Sequence, residues 1–275
     1  MLRLKSLEIV PDRASLAQIT AGKVLINTIN AHSFNTAQKD VLFAEALRNG
    51  DYLIPDGASI VKACRWLKAK SQPTERIAGW DLFTFEMERL NAQRSALSNG
   101  TLSERSRERT LNTQQKPRVM FMGSSERVLS LIREKVATGY PNLDTVTYSP
   151  PYKPEFSDED NQAIIQAIND ADPDLLWIGM TAPKQEKWAY SHWDELNIHC
   201  HVGTIGAVFD FFAGTAKRAP QWWQDHSLEW LNRLCTEPRR MWRRYVIGNP
   251  LFFWNILKEK MSPSNSQLEG DPSTI

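Results

Sequence analysis

The sequence predicts an α/β fold: a Rossmann-like, largely parallel sheet with flanking helices, followed by a helical, basic and aromatic C-terminal appendage. Three observations predict it. Short apolar runs alternate with helical segments, turn residues separate them, and positive charge and tryptophan concentrate beyond Lys217.

The first apolar run, Val24–Ile29, reads as a strand, and Asn35–Arg48 as a helix that stops before Gly50. A second strand, Tyr52–Ile54, enters the turn Pro55-Asp56-Gly57. The helix Ser59–Leu67 then carries Ile60, Ala63, Cys64 and Leu67 on one side. Further strands are expected at Arg118–Met122, Thr145–Tyr148, Leu175–Gly179 and Ile198–Gly203. Helices over Ser125–Ala137 and Asp158–Ile168 serve as crossovers. Crossovers between parallel strands are right-handed, which leaves ligands at the carboxyl ends of the strands.

One stretch breaks the rhythm. Ala92–Lys116 is rich in Ser, Arg, Asn, Gln and Thr, with almost no apolar period, and reads as a mobile polar surface loop inserted into the domain. The resulting organisation is a catalytic α/β domain over 1–216, the appendage over 217–260 and a disordered tail over 261–275.

A chain of 275 residues suffices to bury a sizeable core. No apolar run approaches the roughly 18 residues of a spanning helix, and none resembles a signal peptide. Cys64, Cys200 and Cys235 are scattered without CxxC spacing, against both a disulfide scaffold and a zinc site. The sequence thus reads as a cytoplasmic chain that lies, at most, on a membrane.

Net charge is only +1, so positive charge is local. Between Lys217 and Lys260 there are nine Lys or Arg against four acids, with five of the ten Trp. At about 100° per residue, Arg239, Arg240, Arg243 and Arg244 share one helix face, and Met241, Trp242, Tyr245 and Val246 fill the other. Such a helix suits an anionic lipid surface. Packing on the body, or a subunit interface in a homo-oligomer, would use the same residues.

Three groups at predicted strand ends carry polar side chains suited to a site. Thr28 and Asn30 are two residues apart and point the same way, although from spacing alone ordinary turn capping explains them better. Asp56 sits in a strand-to-helix turn, where it either caps the next helix or acts as a general base beside a cationic pocket. Gly123-Ser124-Ser125 and Gly179 through Gln185 place small residues and backbone N–H groups at helix starts, where the dipole favours an anion. Neither is a P-loop or a GxGxxG fingerprint.

Arg76 and Lys184 can add charge against a diphosphate. His32, His192, His199, His201 and His226 lack ligand spacing and read as structural. Of the acidic runs, Asp158-Glu159-Asp160 opens a helix and Asp172-Pro173-Asp174 precedes a strand, so no catalytic metal is expected.

Together these pieces resemble the WecG/TagA/CpsF type of bacterial glycosyltransferase. The resemblance rests on Thr28-Ile29-Asn30, Pro55-Asp56-Gly57, Arg76 to Asp81, Gly179 to Glu186, Phe209 to Gly214, Lys217 to Pro220 and Leu228 to Pro250, in family order. It implies inverting, metal-independent transfer of a sugar from a UDP-sugar to a polyprenyl-diphosphate-linked saccharide at the inner membrane face, with no cofactor. By the same resemblance, Asp56 is the base, and Thr28, Asn30, Arg76 and Gln185 line the donor pocket. Gly123, Ser124 and Asp210 meet the nucleotide, and Arg233, Arg240 and Arg243 face the acceptor diphosphate and lipid. The chain departs from the family pattern at Ala31-His32, where many members have Pro-Glu, and at Ser124-Ser125, where many have two glycines.

Two other classes compete. A nucleic-acid-binding protein can use Arg and Trp for phosphate contact and stacking, but the chain lacks overall basicity and any recognised motif. A noncatalytic membrane scaffold needs the tail and not the Asp56 pocket.

Overall fold

A computed structural model describes residues 1–98, 116–220, 222–223 and 228–262; the side chains of 93–98 and of Arg240 lie outside that description. Six strands form one parallel sheet: β1 (Val24–Ile29), β2 (Tyr52–Pro55), β3 (Arg118–Gly123), β4 (Asp144–Tyr148), β5 (Leu175–Gly179) and β6 (His201–Thr204), in the order β2-β1-β6-β5-β3-β4. The helices are α1 (Ala31–Ala37), α2 (Val41–Asn49), α3 (Ala58–Leu67), α4 (Gly79–Ser98), α5 (Glu126–Gly139), α6 (Asp158–Ala171), α7 (Lys184–Ser191), α8 (Val208–Ala213), α9 (Glu229–Thr236), α10 (Pro238–Trp242) and α11 (Gly248–Met261). A π-turn over Arg243–Ile247 joins the last two.

Period-two alternation splits each inner strand between the two faces. Val119, Phe121, Leu175 and Trp177 face one core with Phe83, Leu129 and Phe209. Met120, Met122, Leu176 and Ile178 face the other with Ile164, Ile168 and Trp188. Gly203 on β6 makes room for Trp177, because a Cβ there would lie 2.2 Å from the indole.

The structure corrects four expected boundaries. The single helix over Asn35–Arg48 is two, α1 and α2, because Asp40 accepts the Phe43 N–H and starts a new helix. The last strand begins at His201, three residues later than expected. The expected loop from Ala92 is helical through Ser98, and 99–115 lies outside the described residues. Of the tail expected to be disordered, Met261 ends α11, and 263–275 lies outside the described residues.

The C-terminal segment is tied to the body. Phe252 and Ile256 are buried in a core with Leu4, Leu7, Phe34 and Leu53, each burial being worth roughly 1.5–3 kcal/mol. Asn35 Nδ2 donates to Gly248 O at 2.7 Å, and Asn255 Nδ2 to Asn35 Oδ1 at 3.1 Å. Glu259 accepts the N–H groups of Leu4 and Lys5 at 3.0 and 2.7 Å.

Candidate active site

A cavity of about 660 Å³ opens where β1 and β2 end, roofed by the C-terminal segment. Asn30 follows β1 and caps α1, its Oδ1 accepting the N–H groups of His32 and Ser33 at 3.0 Å each. Asp56 follows β2. The next helix has Gly57 as N-cap with no side-chain cap bond, so the Asp56 carboxylate is not consumed by capping. Asn30 and Gly57 are neighbours in ordinary van der Waals range, since a Cβ on Gly57 would lie 3.4 Å from the Asn30 Cβ.

Backbone pairing explains why Arg76 is here: Ile77 N–H donates to Pro55 O at 3.0 Å, seating its neighbour beside Asp56. Arg76 Nη2 lies 3.5 Å from Asp56 Oδ1 and makes a tighter ion pair with Glu229 Oε2. The other Glu229 oxygen is 3.8 Å from Arg218 Nη2, and the Arg218 guanidinium lies over the Trp80 ring. Arg233 from α9 and Arg244 from the π-turn complete the lining with Lys62 and Tyr245.

Among the described residues, four cations (Lys62, Arg76, Arg233 and Arg244) therefore line the cavity against two carboxylates, Asp56 and Glu229. The surplus of positive charge suits a dianionic ligand such as a diphosphate. Burial pushes the Asp56 carboxyl above its ordinary range; Arg76, Arg233 and Arg244 oppose that rise and Glu229 adds to it. His32 also lines the cavity, and burial with the nearby Arg244 depresses it to about 4, so it is neutral at pH 7.

The other residues singled out in the sequence form a second group along the same sheet edge. Gly123 and Gly179 end the paired strands β3 and β5, and α5 and α7 start just beyond them. Their glycines have packing reasons: a Cβ on Gly123 would lie 2.4 Å from Gly179 O, and one on Gly179 would lie 2.5 Å from the Phe209 ring. Ser124 has φ +60°, and its carbonyl accepts from Ser149 Oγ at 2.9 Å.

Gln185 is buried, its Oε1 accepting Met180 N–H at 3.1 Å and its Nε2 donating to Glu186 Oε1 at 2.9 Å, so the amide holds the turn after β5. Lys184 Nζ donates to Lys153 O and lies over Phe156, toward the segment after β4. Asp210, in the first turn of α8, accepts from Thr215 Oγ1 at 3.2 Å. Thr28 is half-buried within β1, opposite Ile54 of β2. The structure thus brings together Asn30, Asp56, Arg76, Arg233 and Arg244. Thr28, Gly123, Ser124, Gly179, Lys184, Gln185 and Asp210 do not line that cavity.

The expected single arginine face is divided. A π-turn packs more residues per turn than an α-helix, so the 100° arithmetic fails across Arg243–Ile247. Arg244 turns into the cavity and Arg239 and Arg243 remain exposed, while the Arg240 side chain lies outside the described residues. On the expected apolar face, Met241 is buried and Tyr245 lines the cavity, but Trp242 and Val246 are exposed.

Sequence reasoning missed Glu229, Lys62 and Arg218, and took His32 as structural. A usable signal for Glu229 was its position four residues before Arg233, which puts both on one helix face. The reading of His201 as structural holds: its two ring nitrogens meet Glu86 Oε1 at 3.0 Å and Thr20 O at 2.9 Å. No helix among the described residues is long and apolar enough to cross a membrane.

An all-parallel sheet with flanking helices, and a half-buried carboxylate among cations at its strand ends, defines a class: Rossmann-like α/β proteins, whose ligands bind at the carboxyl edge of the sheet. The sequence profile of the glycosyl transferase WecG/TagA/CpsF family matches residues 6–101 and 102–266, and the chain belongs to that family of glycosyltransferases. Among its relatives is the N-acetylglucosaminyldiphosphoundecaprenol N-acetyl-β-D-mannosaminyltransferase of Bacillus subtilis, 27% identical over 236 residues, which cover 86% of this chain and 80% of the relative. Proteins of the same description from Bacillus spizizenii and Staphylococcus aureus are each 26% identical, covering 89% of this chain and 83% and 84% of their own lengths.

Proposed function

We infer that this protein transfers a sugar from a UDP-sugar to a polyprenyl-diphosphate-linked saccharide, with inversion and without a metal, during synthesis of a bacterial surface or secreted polysaccharide. The observation that carries the reading is the Asp56 carboxylate, raised by burial, in a cavity with four cations. By analogy with the named relatives, N-acetylmannosamine is the first donor sugar to test and diphosphate-linked N-acetylglucosamine the first acceptor.

An acceptor hydroxyl gives its proton to Asp56 as its oxygen attacks the anomeric carbon. The bond from that carbon to UDP breaks on the opposite face, the electron pair leaves with UDP, and the proton stays on Asp56. Arginine side chains, together with the helix starts after β3 and β5, offset the diphosphate charge that a divalent cation would otherwise meet. In the sheet order, β1 and β2 lie two and three strand spacings from β5, roughly 10 and 14 Å, and β3 lies one spacing further. A nucleotide held near Gly123, Ser124, Gly179 and Asp210, with Gln185 and Lys184 flanking it, can therefore extend its sugar toward Thr28, Asn30 and Asp56.

Exposed Trp242, Val246, Ile247, Phe253 and Trp254 support docking on an anionic leaflet at the cytoplasmic face. Cations lie against the rings: Lys258 Nζ is 5.4 Å from the centre of Trp254, and Lys260 Nζ is 4.1 Å from that of Trp66, which stacks on Phe253.

The test is UDP release by the purified protein, screened over UDP-hexose, UDP-N-acetylhexosamine and UDP-uronic acid donors with lipid-diphosphate acceptors. Acceptor-dependent release that survives a chelator is expected. Release abolished by the chelator overturns the metal-independent step, and no release with any pair overturns the reading.

A further inference from the structure

We propose that Glu229 is a positioning residue that draws the Arg76 guanidinium away from Asp56, so that the C-terminal segment sets the strength of the base. The proposal rests on the reading of Asp56 as the base. Its ground is the geometry of one nitrogen: Arg76 Nη2 is in close ion-pair contact with Glu229 Oε2 and only within 3.5 Å of Asp56 Oδ1. That nitrogen gives its hydrogen bond to Glu229 and leaves Asp56 with charge attraction alone.

Glu229 is itself clamped. Its side chain is 12% exposed, and its second oxygen faces Arg218, which is held over Trp80. With both oxygens opposite guanidinium groups, Glu229 is badly placed to accept a substrate proton and well placed to share out positive charge.

The charged groups acting on Asp56 are Arg76 beside β2, Arg233 and Glu229 from α9, Arg244 from the π-turn and Arg218; Lys62 of α3 and the titratable His32 of α1 line the same cavity. Of these, Glu229 alone favours the protonated acid. Removing its charge lets Arg76 swing fully onto Asp56. A carboxyl better paired with a cation ionises at lower pH and is a weaker base.

The test compares wild type with Glu229→Gln and Glu229→Asp, reading the Asp56 midpoint by carboxyl carbon NMR, assigned with Asp56→Asn, beside the pH profile of kcat/KM. In Glu229→Gln the midpoint and the acid limb are expected to move down by on the order of one pH unit, the size a single neighbouring charge gives. The plateau should fall, by less than the roughly 10²–10⁴-fold loss from removing the base. Glu229→Asp, one methylene shorter, should show a smaller shift in the same direction. An Asp56 midpoint at the wild-type value in either folded variant overturns the proposal. The NMR arm needs no turnover: a shifted midpoint alongside an active Asp56→Asn variant sinks the base assignment and leaves the Glu229 contact standing.

Discussion

The guanidinium of Arg76 stands 3.5 Å from the carboxylate of Asp56, held there by the backbone bond from Ile77 N–H to Pro55 O. A cation so close lowers an acid's pKa and burial raises it; here burial is the larger effect. The outcome is a carboxylate more basic than an exposed one, beside groups able to hold phosphate.

Asp56→Asn keeps the shape and removes the base. Turnover should fall by about 10²–10⁴, with KM for the donor changed much less. Near-normal turnover in steady-state kinetics would take Asp56 out of the mechanism.

Arg233→Gln with Arg244→Gln removes two cations that line the cavity. Each charge-assisted bond to phosphate is worth about 1.5–3 kcal/mol, so kcat/KM for a diphosphate-linked acceptor should drop at least tenfold. If the drop is equal for an acceptor lacking the diphosphate, the cations are not meeting phosphate.

Changing Val246, Ile247 and Trp254 to Asp tests the exposed apolar surface. Co-sedimentation with anionic vesicles should be lost and the melting temperature kept. Unaltered binding would put the membrane contact elsewhere.

Glu186 is buried, and burial pushes its carboxyl from 4.5 up to about 7. The native state then holds a proton that the unfolded chain has released between those values, so stability falls as pH rises through that window. The cost above pH 7 is on the order of 3 kcal/mol. Glu186→Gln should flatten this dependence and resist denaturant better than wild type at pH 8 but not at pH 4. An equal difference at both pH values refutes the assignment.

Gly123→Ala places a methyl 2.4 Å from Gly179 O at φ +118°. Backbone strain alone costs roughly 1–3 kcal/mol, so the melting temperature should fall before any ligand is added. A variant that melts like wild type but binds UDP poorly would show that Gly123 serves the ligand rather than the packing.

Much of the sheet was legible because the signal is local. Val24–Ile29 and Leu175–Gly179 are recovered residue for residue, since a largely buried strand reads as a short, mostly apolar stretch, interrupted only by Asn27 and Thr28 in the first. The split at Asp40 was not legible from the apolar stripe alone. A capping aspartate inside a continuous helical period yields to the stripe in such a reading, yet its bond to Phe43 N–H decides the break. The division of the arginines, Arg244 into the cavity and Arg243 outward, was hidden for a related reason, because a π-turn leaves no mark in hydrophobic spacing.

The sequence by itself determined the parallel sheet, the turn that presents Asp56 and the concentration of arginine near the C-terminus, because each depends on residues close along the chain. Only the tertiary structure decided which arginines face Asp56 and that Glu229 lies among them. That choice follows from Phe252 and Ile256 burying against α1 and α3. A contact between such distant segments is set by packing, and no local pattern encodes it.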